Sequence, residues 1–144
     1  MENSVSRQLG SGMFLDRVNT ELQRAQRYQI FVSLLVYDIS FLSSSQSGQE
    51  NTLKDKILKA VSEAVRNIDN VSLVASDKIA LLLPETNRQG AEVASKRISS
   101  VVQDCLETHN NSTNTVSPEM ASYPDAAGMK TIKDFMTDLS DQYN

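Results

Sequence analysis

The side chains of this sequence that could do chemistry are few: Asp38, Asp77 beside Lys78, and the pair Arg66 and Asp69. Asp38 is the first polar break after the apolar run "QIFVSLLVYDI", and Asp77 lies in "SDK" between the runs "VSLVA" and "IALLLP". Carboxylates are the side chains that hold hard divalent cations. Lys78 works against that use, because a fixed ammonium repels a metal and pairs with Asp77 or Asp38 instead. "RNID" places Arg66 and Asp69 in an R-x-x-D tetrapeptide. It has a structural reading, since Arg suits the negative end of a helix and Asp-Asn makes an ordinary turn. It also has a ligand reading, since a guanidinium fork receives phosphate. Cys105 and His109 are each the only residue of their type. With no partner beside it, the thiol reads as structural and the imidazole, in "THNNSTN", as a solvated loop residue. Arg24 and Arg27 read as a solvated helix face, and Ser43 to Ser45 as a flexible loop.

Composition narrows the class. At 144 residues, 40% apolar and 22% charged, the chain fits one globular domain with a core of its own, so residues 1–144 are expected to form a single unit with about the first ten flexible. A net charge of -4 argues against wholesale binding of nucleic acid or anionic membrane, and leaves room for a small anionic ligand at a local Arg cluster. The single Cys rules out an internal disulfide framework and fits a reducing cytosol. No stretch approaches the roughly 20 apolar residues of a membrane helix, and "MENSVSRQLGSG" has no signal-peptide run. A cytoplasmic piece, or the cytosolic part of a larger protein, is the expectation.

Four helices and four strands must position these residues. Phe14, Val18, Leu22 and Ala25 recur at helical spacing within Met13 to Arg27. Gln29 to Ile39 is nearly continuous in apolar residues and reads as a central strand covered on both faces. "SFLSSSQSGQEN" reads as a loop. A second helix follows, with Leu53, Ile57, Leu58, Val61 and Val65 on one stripe, ending near Asn67. "VSLVA" and "IALLLP" lie so close that an antiparallel hairpin is the economical connection. A third helix carries Ala91, Ala94, Ile98, Val101, Val102 and Cys105 inward; "TVSPEMASYP" is a weaker strand that Pro118 restricts to an edge or interrupts with a bulge, and a last helix starts about Lys130. This order predicts an α+β fold, a mostly antiparallel sheet flanked by helices.

"SLLVYDISF", "ALLLPETNRQGAEVASKRI" and "TVSPEMASYP", in this order and spacing, resemble the GGDEF domain of diguanylate cyclases from about Leu9 onward. The resemblance implies a nucleotide-cyclase-like fold with a ferredoxin-like core. In active members it implies condensation of two GTP molecules into cyclic di-GMP by a homodimer with two divalent metals. In that register the five signature positions are Ala75, Ser76, Asp77, Lys78 and Ile79. Ala75 and Ser76 stand where two glycines let the backbone approach the nucleotide. Lys78 reverses one of two acids, leaving Asp77 and Asp38 as remnant carboxylates where phosphoryl transfer needs a metal pair. The guanine-contacting loop is replaced by the shorter "FLSSSQSGQEN", with only Asn51 near a matching position, and "VSRQLGSG" replaces the family's opening "LTGL.NR". Loss of cyclase activity, no catalytic residue and no bound metal are the expectations.

The same resemblance keeps another site. The family's product-binding inhibitory motif is R-x-x-D, its Asp five residues before the signature; here "NVSLV" separates Asp69 from Ala75. Arg97, in "ASKRI", stands where a further Arg completes that site. An Arg fork suits a phosphate or the O6/N7 edge of guanine, and a carboxylate accepts from guanine N1 and N2. Two readings follow. One is a cyclic di-GMP receptor built on Arg66, Asp69 and Arg97, signalling to a partner protein or attached domain, with a homodimer as one mode. The other is a ligand-free dimerisation or interaction domain in which Arg66 and Asp69 are a structural pair.

Overall fold

The computed structural model describes residues 8–44, 50–75, 77–110, 116–124 and 131–141. In chain order these form α1 (Ser11–Tyr28), β1 (Val32–Asp38), α2 (Glu50–Ala64), β2 (Asn70–Val74), β3 (Lys78–Pro84), α3 (Arg88–Asn110), β4 (Glu119–Tyr123) and α4 (Ile132–Asp141), with a 3-10 turn at Ser40–Ser44. The four strands make one sheet in the order β2-β3-β1-β4, and every neighbouring pair is antiparallel. From β1 onward this is the split βαβ arrangement of ferredoxin-like cores. The expected α+β class and antiparallel sheet are both present.

Alternation along the strands assigns two cores. Leu35 and Tyr37 of β1 and Ile79, Leu81 and Leu83 of β3 point to one face, against Ile57 and Val61 of α2 and Ile98, Val102 and Leu106 of α3. Leu34 and Val36 of β1 and Ala80 and Leu82 of β3 point to the other, against Phe14, Val18 and Leu22 of α1 and Phe135 and Leu139 of α4. A strand with both faces covered has no need of polar residues, which is why β1 reads as a continuous apolar run. β4 is an edge strand preceded by Pro118, as Pro's missing N–H requires.

Boundaries differ from the periodicity in three places. β1 begins at Val32, because Gln29 takes a left-handed conformation (φ 56°) that ends α1, and Ile30 N–H then donates to Ala25 O at 3.1 Å. The segment after β1 starts as the 3-10 turn, with Leu42 buried. α2 stops at Ala64, three residues short of the expected end, for a reason that belongs to the site. Leu9 N–H donates to Val71 O at 2.9 Å, holding the start of the described chain to the free edge of β2. Among the described residues no helix is long and apolar enough to cross a membrane.

Candidate functional site

The hairpin turn joins β2 to β3. Ala75 takes φ 53°, the left-handed region in which a Cβ is unfavourable. Ser76 lies outside the described residues, as do Ser45 and the side chains of Ser43, Ser44, Asn51 and His109. Ile79 is fully buried in the α2/α3 core and pairs with Tyr37 across the β1/β3 ladder, so this signature position is a core residue here. Ala75→Gly is expected to stabilise the fold by about 0.5–1 kcal/mol, the relief of left-handed strain less the added freedom of the unfolded chain. Thermal unfolding of the variant checks it, and an unchanged or lower Tm contradicts it.

Lys78 sits between the two acids. It pairs directly with Asp38 in the strand register, and its Nζ lies 3.6 Å from Asp77 Oδ1, an oxygen with no hydrogen bond of its own. Asp38 Oδ1 accepts from Ser40 N–H at 2.8 Å, which opens the 3-10 turn. Hydrogen bonding by Ser40, its hydroxyl first and its backbone N–H second, holds the Asp38 carboxyl below its ordinary range, with Lys78 adding a smaller attraction. Asp77 is anchored through its backbone, whose carbonyl accepts from Ile39 N–H at 2.9 Å. Among the described residues no three His, Cys, Asp or Glu side chains converge as metal ligands would.

Arg66 and Asp69 meet just past α2. Asp69 folds back on the chain: its Oδ2 accepts from Arg66 N–H at 2.9 Å while its own N–H donates to Arg66 O at 3.0 Å. This closed turn is what ends α2 early. The guanidinium then lies along the carboxylate, with Nε 3.1 and 3.2 Å from the two oxygens and Nη2 2.8 Å from Oδ1. Nη2 also reaches Pro84 O at 3.1 Å and Thr86 Oγ1 at 2.6 Å. Asp69 is 1% exposed, whereas the Arg66 side chain is 48% exposed. The carboxylate is thus a buried post that orients a half-exposed guanidinium, and the described contacts leave the Nη1 edge available.

Arg97 joins them from α3. Its Nε donates to Ala64 O at 3.2 Å, meeting the last carbonyl of α2 as a cation at a helix C-terminus should. Arg66, Asp69 and Arg97 line one cleft of about 330 Å³, together with Phe31, Glu85, Thr86 and Val93. All three expected residues are therefore brought together. A larger groove of about 600 Å³ runs between α1 and the turn after α2, lined by Met13, Arg17, Ile68 and Asn70. Size alone does not single it out, since Arg17 already pairs with Glu21 at 3.4 Å.

Thr86, Glu85 and Phe31 escaped the sequence reading. Thr86 is fixed three ways: its hydroxyl accepts from Arg66 and donates to Pro84 O at 2.9 Å, while its carbonyl accepts from the buried Ser33 hydroxyl at 2.8 Å. Ser33 in turn shares a hydrogen bond of 2.8 Å with Ser122 across the β1/β4 ladder. A chain of polar contacts thus runs from the edge strand through the central strand to the guanidinium. Glu85 takes φ 54° directly after β3 and pairs with Arg24 of α1 at 3.3 Å. Thr86 is the Thr of "LLPET", so its signal lay in the segment that carries the resemblance.

Solved structures share this fold. The diguanylate cyclase SiaD of Pseudomonas aeruginosa, in complex with its activator SiaC, matches with a TM-score of 0.66 at 18% identity over 92% of this chain and 52% of that one. This chain therefore spans about half of that protein. A DGC protein from Thermotoga maritima gives 0.65 at 17% identity over 96% and 98% of the two chains. The GGDEF domain of DgcB from Caulobacter crescentus, in complex with c-di-GMP, gives 0.61 at 16% over 93% and 80%. Comparison with functionally curated proteins finds no match. The sequence profile described as "Diguanylate cyclase, GGDEF domain" matches residues 11–137, from the first turn of α1 to the middle of α4. With the profile spanning both layers of the sheet and the turn between β2 and β3, this chain belongs to the GGDEF domain family.

Proposed function

We propose that this is a catalytically inactive GGDEF domain that works as a cyclic di-GMP receptor, with Arg66, Asp69 and Arg97 as the ligand site. The observation that carries the reading is their convergence on one cleft with Arg66 held by a buried carboxylate. Preorganisation of this kind lowers the entropic cost of binding. Arg66 offers its free edge to a phosphate or a guanine, Arg97 supplies a second guanidinium, and Asp69 fixes the first. Inactivity is supported at the turn. An ammonium 3.6 Å from Asp77 and opposite Asp38 does not suit the divalent pair that phosphoryl transfer by this family calls for. The output would pass to a partner protein or attached domain.

One observation favours the ligand-free reading: Arg66 and Asp69 satisfy each other, and Arg97 caps α2, so all three have structural work without a ligand. Calorimetric titration separates the two. Wild type is expected to bind cyclic di-GMP with micromolar affinity, and Arg97→Ala to weaken binding about tenfold or more, the loss of a charge-assisted hydrogen bond. Arg97 is exposed, so this variant loses only a surface cap on α2, about 0.3–1 kcal/mol, and keeps the fold. No binding by wild type removes the receptor reading, and cyclic di-GMP made from GTP and Mg²⁺ above background removes the claim of inactivity.

A further inference from the structure

The charges lining the Arg66 cleft are mostly paired: Arg66 lies against Asp69 at 2.8 Å and Glu85 against Arg24 of α1 at 3.3 Å, which leaves Arg97 as the cleft guanidinium with no carboxylate partner among the described contacts. A ligand with two phosphates therefore meets one unneutralised cation, which matches only part of its charge. Much of the affinity must come from contacts with the bases.

Phe31 is the aromatic residue of the cleft and is 47% exposed; Val93, on the α3 side, is 65% exposed. Single exposed apolar residues need no explanation. A ring and an aliphatic side chain lining the same cleft as two guanidiniums are a different matter, since they put exposed apolar surface in one cleft with hydrogen-bond donors. The ring is also well placed mechanically. Phe31 directly precedes Val32, which is paired on one side with Pro84 and on the other with Tyr123, so the central strand fixes its backbone.

We infer that Phe31 is a stacking platform for one guanine of the bound cyclic dinucleotide, an inference that rests on the receptor reading of the cleft. Bases stack on aromatic rings through their π-faces, and Arg66 then meets the base edge or the phosphate. The chain has no Trp, so Phe31→Trp introduces a single indole as a reporter. In titrations with cyclic di-GMP, Phe31→Ala and Phe31→Leu are expected to bind about tenfold or more weakly than wild type. Phe31→Trp is expected to stay within about threefold of wild type, and its emission to be quenched at saturation. Leu keeps the apolar bulk without the ring, so wild-type affinity in Phe31→Leu overturns the platform, as does an indole emission unaffected by ligand. Failure of the wild type itself to bind is a separate result, read before any variant is made; it removes the receptor reading and the platform with it.

Discussion

Arg66→Ala is expected to destabilise the domain by about 3 kcal/mol, a fall in Tm of roughly 10 °C for a chain of this size. The cost does not lie in the Arg itself, which is half exposed and would be well solvated alone. It lies in what remains. Asp69 is 1% exposed, and with the guanidinium gone its carboxylate keeps only the backbone N–H of residue 66. A buried charge stripped of its partner carries the desolvation penalty without the compensation. Thr86 loses the donor to its hydroxyl as well. Asp69→Asn/Arg66→Ala together should recover part of the loss, because the amide that replaces the carboxylate brings no charge to bury. Denaturant unfolding of both variants measures this, and an Arg66→Ala domain as stable as wild type would show that the pair is not structural. The same numbers bear on ligand binding: a lost affinity in Arg66→Ala has two causes, which is why Arg97 and Phe31 are the cleaner probes.

The apolar stripes carried most of the fold. Phe14, Val18, Leu22 and Ala25 are all buried against the sheet, and so are Leu53, Ile57, Val61 and Val65, because helical spacing leaves only one face for them. The tightness of "VSLVASDKIALLLP" made the hairpin legible. What was not legible depends on side chains closing local loops or on partners distant in sequence. The end of α2 at Ala64 is set by Asp69 turning back onto Arg66, an interaction that carries no periodicity. Lys78 beside Asp77 could be read directly, whereas its pairing with Asp38 required the β1/β3 register. Arg66 and Asp69 were visible as a tetrapeptide, but the burial that separates post from donor was not. Thr86, twenty positions from Arg66, enters the cleft only because β3 runs back past the turn. Phe31 was read as part of a strand, and it becomes a cleft residue because β1 starts at Val32, three positions after the expected Gln29.

Tyr37→Ala should cost about 4 kcal/mol, the largest loss expected from a single side chain here. Tyr37 is fully buried in the middle of the α2/α3 core, opposite Ile79, and its hydroxyl donates to Ser95 O at 3.0 Å and lies 3.0 Å from Ser99 Oγ. It therefore does two jobs: its ring fills the space between sheet and helix, and its hydroxyl ties β1 to α3, the helix that carries Arg97. Tyr37→Phe separates them. It keeps the ring and should cost only about 1 kcal/mol, the net worth of a hydrogen bond. A second signature distinguishes the pair. Burial pushes the Tyr37 phenol above its ordinary value, against a smaller opposing effect of the hydrogen bond with Ser99. Since the folded state holds this proton more tightly than the unfolded chain, the stabilisation is complete below about pH 10 and is lost as pH rises through the folded-state value. Wild type should consequently lose stability in strong alkali more steeply than Tyr37→Phe, which has no phenol to ionise. Parallel alkaline unfolding curves for the two proteins would place the titration elsewhere, whereas convergence of their stabilities as pH rises locates it at the contact between β1 and α3.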